Sequence, residues 1–215
     1  MRPRLLLASS SPRRRELLIE AGVEFEVLAP GAPESESAAL SIRELTTLNA
    51  TRKALAVAAR EPDAVVLAAD TLVALEGHVI GKPADMEDAF AILRRLSGRE
   101  HEVCTSVFIC RAEPRQTHSF YVISHVRFRP VNDDEIRVYF AKINPLDKAG
   151  AYAAQGHGRD IIASIAGSYT NVVGLPMDET LAALKPFGVE PTQPAGGSRK
   201  QISSLLPSGS SQKNA

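Results

Sequence analysis

The stretch that most constrains this chain is Ala64 to Pro83, AVVLAADTLVALEGHVIGKP. An apolar run, Ala64 to Ala69, is broken by Asp70 and Thr71, and further apolar residues then lead to a glycine-containing turn and Gly81-Lys82-Pro83. The pattern predicts a buried strand that carries a carboxylate to its edge or end, with a lysine returning nearby on a tight loop. An ionised carboxylate taken out of water needs a cation or hydrogen-bond donors. Lys82 or a metal ion is the natural partner for Asp70. A buried Asp capping a turn, with Lys82 left in solvent, would satisfy the same segment.

A chain of 215 residues can bury one substantial core or two small ones. Lys plus Arg equals Asp plus Glu at 25 each, so net charge points to neither a nucleic-acid nor a membrane partner. Any anion site must come from local clustering. The opening MRPRLLLASSSP has too short an apolar run for a signal peptide, and no segment is long enough to span a bilayer. Cys104 and Cys110 fall on one apolar segment. In an extended strand they lie about 20 Å apart, too far for a disulfide, so both read as core thiols of a reducing compartment.

One local cluster stands out. Arg4 to Ala8 reads as a short strand, and SSSPRRRELLIEAG follows it. Pro12 suits a first helical turn, Ser10 or Ser11 is placed to cap it, and Gly22 ends it. Arg13, Arg14 and Arg15 then crowd the helix N-terminus, where cations oppose the dipole. Free N–H groups, serine hydroxyls and guanidinium groups together make an anion site, and a bound anion would relieve the repulsion. A basic, solvated first turn is the plainer alternative.

The rest of the chain alternates strands with helices and predicts an α/β class. Val23 to Leu28 reads as a second strand, followed by the polar loop PGAPESESAALS with Glu34 and Glu36. Ile42 to Arg60 shows helical periodicity at Leu45, Leu48 and Leu55, which leaves Lys53 on another face as a solvated lysine. Ala84 to Gly98 is a helix capped by Asp85. His101 to Cys110 and His118 to Phe128 form an antiparallel hairpin, which makes the sheet mixed. Asn132 and Glu135 form a capping box for the next helix. A Gly- and Ala-rich loop holds Asp147, Lys148 and Gln155, Ile161 to Ile165 is a strand, GSYTNVVGLP is a turn-rich connection, and Asp178 to Phe187 is a last helix. From Pro191 onward the composition is that of a disordered tail. The five histidines show no metal-ligand spacing, and no Walker, GxGxxG or GxSxG sequence occurs.

Taken together, SSSPRR after the first strand, AADT, GKP, LSG, LDKAGAYAAQG and GSYTNVVGLP resemble the Maf proteins over about residues 4 to 188. The resemblance implies a single Maf/ITPase-like α/β domain over residues 1–190, with a mixed, twisted sheet flanked by helices, a cleft at the strand ends, and a tail over 191–215. It implies a nucleoside triphosphate pyrophosphatase of the dTTP/UTP branch that uses a divalent cation, Mg²⁺ or Mn²⁺. The family's proton acceptor falls on Asp70, its phosphate-binding residues on Ser9, Ser11, Arg13, Arg14, Lys53 and Lys82, and its acidic residue on Glu34, with Glu36 an alternative. Asp70 and Glu34 are the implied metal ligands. Arg13, Thr71 and Gln155 occupy the positions that separate the branches. A homodimer in the cytoplasm is implied as well, acting on nucleotides that include modified ones. A nucleotide-binding regulator of septum formation, without essential turnover, is the other role associated with the family.

Overall fold

The computed structural model describes residues 3–192 except residue 38. The expected tail, from residue 193 on, lies outside them. Seven strands form one mixed sheet: β1 (Leu5–Leu7), β2 (Glu26–Val27), β3 (Val65–Leu75), β4 (His78–Ile80), β5 (Glu100–Arg111), β6 (Gln116–Phe128) and β7 (Ile162–Ala166). The order is β2-β1-β3-β5-β6-β7, with β4 hydrogen-bonded to β3. The helices are α1 (Pro12–Glu20), α2 (Ile42–Ala58), α3 (Met86–Leu96), α4 (Asp133–Phe140), α5 (Tyr169–Val173) and α6 (Met177–Leu184). This is the α/β class that the alternation predicts, with the mixed sheet that the hairpin predicts and in the single domain that the family resemblance implies.

β3 is the axis of the fold. Its first half is apolar at every position because both faces are covered. Val65, Leu67 and Ala69 pack with Leu18 of α1 and Leu184 of α6, while Val66 and Ala68 pack with Ala54 and Val57 of α2. Further along, Val73 joins Val103, Val126 and Phe128 under α3 and α4. Helix α2 therefore covers one face alone, and the other five helices cover the opposite one.

One edge of β3 is shared. β1 pairs with it in parallel from Leu5↔Val65 to Leu7↔Leu67, and β4 pairs antiparallel from Val73↔Ile80 to Leu75↔His78. Between these pairings the first strand departs into the serine loop, and Asp70 lies in the gap. Of the two placements expected for Asp70, the edge or the end of the strand, the edge holds: β3 runs on for five residues because β5 pairs with it continuously on the other edge, including Asp70↔Ser106.

Other expectations shift for local reasons. The second strand shrinks to Glu26–Val27, since β1 offers it only Leu6 and Leu7. GSYTNVVGLP is not only turns: Ser168 caps α5 by accepting the Asn171 N–H. The last helix ends at Leu184 and tightens into a 3₁₀ turn, Lys185–Phe187. The caps of α3 by Asp85 and of α4 by Asn132 with Glu135 form as expected. Cys104 and Cys110 are free, buried thiols.

Candidate active site

The gap in the edge of β3 opens into a cleft of about 920 Å³, within the range of small-molecule sites. Most of the side chains singled out from the sequence line it: the serine loop with Arg13 and Arg14, the carboxylates Asp70 and Glu34, both lysines, Thr71 and Gln155. Arg15, expected in the same arginine cluster, is exposed and does not.

Residues 70 and 71 face opposite sides of the sheet, because side chains alternate along a strand. Asp70 is buried on the α2 side. Lys53 Nζ lies 2.6 Å from Asp70 Oδ1 and 2.5 Å from Glu34 Oε1. The solvated lysine expected at position 53 is thus a buried cation held between two carboxylates. The periodicity misled because α2 turns Asn49, Ala50, Lys53, Ala54 and Val57 to the sheet, leaving Leu48 and Leu55 exposed. Alanines let the helix lie close to the strands, and the long lysine then reaches to the end of the gap. Asn49, missed entirely, donates to Asp70 Oδ2 at 3.2 Å. Lys82, expected beside Asp70, instead reaches Glu34 Oε2 at 3.4 Å from a half-exposed position. Burial opposes the Glu34 charge, but the hydrogen bond and charge of Lys53, with Lys82, outweigh it and hold the carboxyl below its usual range.

On the opposite face Thr71 meets Arg14. Arg14 is buried; its Nε donates to the Gly174 carbonyl at 2.8 Å, one terminal nitrogen to Ser9 Oγ at 3.2 Å, and the other to Thr71 Oγ1 at 3.0 Å. Each of these acceptors is neutral. Burial pushes the guanidinium pKa down, the Asp70 charge opposes that, and Arg13 adds to it. Three of the five N–H groups are used, which leaves one on each terminal nitrogen. Gly174 caps α5 at φ +127°, a conformation that side chains resist, and so turns its carbonyl to Arg14. Thr71 Oγ1 also lies 2.9 Å from Thr105 Oγ1.

Ser11 is the N-cap residue of α1 but makes no capping bond with its side chain; its N–H donates to Ser9 Oγ at 3.2 Å. The hydroxyl of Ser11 and the first-turn amides therefore remain for a ligand. Arg13 reaches Asp147 at 3.3 Å, a bond that spans the cleft mouth. Lys148 donates to Asp147 and to the Asn144 carbonyl. Gln155 is half-buried at the start of a 3₁₀ turn, Gly156–Asp160. The loop between Lys148 and Gln155 is anchored by Tyr152, whose hydroxyl lies 2.8 Å from buried His101 Nε2. Gly150, at φ +71°, would put a Cβ 3.0 Å from Val73. Burial lowers the His101 pKa to about 4.

The donor set bears on which cation it could take. Among the described residues, no group of three or more His, Cys, Asp or Glu side chains is arranged to hold a metal ion. Asp70 and Glu34 offer only hard oxygens, each with lone pairs beyond those given to Lys53 and Asn49. Two carboxylates in an open cleft suit a hard cation that takes its remaining ligands from water and phosphate, not a closed cage.

The sequence pattern described as "Maf-like protein" matches residues 4–187. A protein of Akkermansia muciniphila named dTTP/UTP pyrophosphatase is 44% identical over 188 residues, covering 87% of this chain and 98% of its own. Its namesake in Symbiobacterium thermophilum is 46% identical, covering 86% and 94%. That of Bacillus velezensis is 43% identical over 190 residues, covering 88% and 100%. The solved Ham1 protein of Staphylococcus aureus covers 58% of this chain and 71% of its own at 14% identity, with a TM-score of 0.42, too distant to bear on function.

Proposed function

The chain belongs to the Maf-like family, and from that premise we propose that its cleft hydrolyses dTTP and UTP to the monophosphate and pyrophosphate. The observation that carries the reading is the pairing of a buried carboxylate, Asp70, with Lys53 in the same cleft as a serine loop, a helix N-terminus and a buried arginine. Simple capture of a polyanion has no use for a carboxylate beside the phosphates, whereas hydrolysis needs a group to orient water.

The chain's residues divide the work. Ser9, Ser11 and the first turn of α1 receive phosphate oxygens. Arg13, Arg14 and Lys82 offset the charge that builds up on the departing pyrophosphate. Lys53 offsets the charge of Asp70 and Glu34. Asp70 accepts a proton from the attacking water and orients it toward the α-phosphorus. Asp70 and Glu34 would hold Mg²⁺ or Mn²⁺, which supplies neutralisation of phosphate oxygens and activation of water when bound. Gln155 presents a donor and an acceptor to a pyrimidine edge. Thr71 shapes the pocket through Arg14 and not by reaching the base.

The resemblance adds a homodimer and a cytoplasmic location to the proposal. No helix among the described residues is long and apolar enough to cross a membrane. The buried free thiols accord with a reducing compartment. Light scattering tests the first and fractionation the second.

The deciding assay is pyrophosphate release with Mg²⁺ or Mn²⁺ from dTTP, UTP, CTP, GTP and 7-methyl-GTP, with Asp70→Asn alongside. The expected result is release from dTTP and UTP that Asp70→Asn abolishes. Tight nucleotide binding without release from any of them would favour the regulatory role instead. Release from 7-methyl-GTP alone would remove Arg13, Thr71 and Gln155 as the basis of base choice.

A further inference from the structure

Asn49 has no place in the expected site; in the sequence it is merely the start of an Asn-Ala-Thr triplet. In the structure it is 3% exposed, one turn before Lys53 on the sheet-facing side of α2. Its Oδ1 accepts the Ser35 N–H at 2.7 Å. Its Nδ2 donates to the Ser35 carbonyl at 3.2 Å and to Asp70 Oδ2 at 3.2 Å. The Ser35 N–H can only donate, so it dictates which end of the amide faces it, and the donating end is left for the carbonyl and the carboxylate. A carboxylate at this position would meet both with repulsion; a hydroxyl would be too short and carry one donor.

We propose that Asn49 is a positioning residue that fixes Asp70 and Glu34 in a single frame around Lys53. The inference rests on the pyrophosphatase reading above and adds a residue to it. Gripping both backbone groups of Ser35 docks the polar loop onto α2, and the neighbouring Glu34 thereby arrives at Lys53. Donating to Oδ2 leaves Oδ1 to Lys53, so the plane of the Asp70 carboxylate is set by two donors. Lys53 alone fixes neither, because an ammonium on a four-carbon stem donates in any direction. Asn49 touches no substrate in this role.

The test is kcat and KM for pyrophosphate release from dTTP by wild type, Asn49→Ala, Asn49→Asp, Glu34→Gln and Asn49→Ala/Glu34→Gln, each normalised to folded protein. Asn49→Ala is expected to lower kcat about tenfold to a hundredfold, the scale of a misplaced catalytic group, with a much smaller change in KM. Asn49→Asp, nearly isosteric, should lose more. The Asn49→Ala loss should shrink in the Glu34→Gln background, because part of it passes through Glu34. Wild-type kcat in Asn49→Ala, or an undiminished loss in the double variant, overturns the proposal. Amide hydrogen exchange over residues 29–37 reads the docking without turnover. Faster exchange there in Asn49→Ala, with α1 and α3 unchanged, supports the inference, and unchanged exchange overturns it. Absence of pyrophosphate release by wild type would instead count against the parent reading, and the exchange result would still decide the role of Asn49.

Discussion

Two cations are buried back to back across β3, and their surroundings differ in kind. On the α2 side, Lys53 lies between Asp70 and Glu34, so its charge is matched before any ligand arrives. On the α1 side, Arg14 donates only to two hydroxyls and a carbonyl. Its charge stays unmatched by a hydrogen-bonded carboxylate, in a setting where low polarisability lengthens its reach. Both residues were grouped from the sequence as phosphate ligands. The geometry separates them: one side of the strand organises the acid groups, and the other projects positive potential for an anion. A cation's contribution to a site thus depends on whether its partners are charged as much as on where it lies.

The largest effect should come from Lys53→Met. Removing one partner of a buried pair costs about 3–5 kcal/mol, read as a lower urea midpoint, and adding Asp70→Asn should recover most of it. If Lys53→Met unfolds no more readily than wild type, the two sides are not different in the way described.

Acid should then weaken both sides, each through its own group. His101 lies on the Thr71 side, and its pKa falls from 6.5 to about 4 on folding. Between those values the unfolded chain binds a proton that the folded chain refuses, so stability falls as pH drops, by about 3 kcal/mol in all, and levels off below. Urea unfolding between pH 7 and 4 measures this, and His101→Gln should flatten it. Glu34 has a lowered folded pKa, so its contribution is intact above the usual carboxylate range and is lost as pH falls through the folded value.

Arg14→Met should cost less than Lys53→Met, about 1–3 kcal/mol, because Thr71 keeps Thr105 as a partner. Its mark should be on binding: KM for every nucleotide rising about tenfold, the scale of one charge-assisted bond. Smallest of all, Asp147→Asn frees Arg13 from a partly exposed pair worth under about 1 kcal/mol. Stability should barely change while KM falls modestly, and a rise in KM would mean that the cross-cleft bond helps to shape the bound state.

Much of this was legible in the sequence because it depends on period and punctuation. The alternation of His118 to Phe128, the Asp85 cap and the Asn132–Glu135 box each form locally. The composition of the cleft followed from the order of motifs. What stayed hidden depends on which face a helix gives to the sheet. In α2 both faces carry residues that could pack, and the sheet takes the side with alanines at 50, 54 and 58 because it permits close approach. The residues at 49/50, 53/54 and 57/58 recur at helical spacing, and that stripe was the available signal for Asn49 and Lys53. The His101–Tyr152 anchor joins residues 51 positions apart, and no local pattern announces it.

The opposite facing of residues 70 and 71 has a consequence for how the molecule is made. A strand moved by one residue exchanges its two faces completely. In a chain with β3 so displaced, Thr71 would meet Lys53 and a carboxylate would be driven among Leu67's neighbours on the far side. The apolar run before it would tolerate the exchange, since both its faces are buried, so the cost of the slip falls on Asp70. The shift that takes the carboxylate away from Lys53 is therefore the same one that buries it unpaired on the far side.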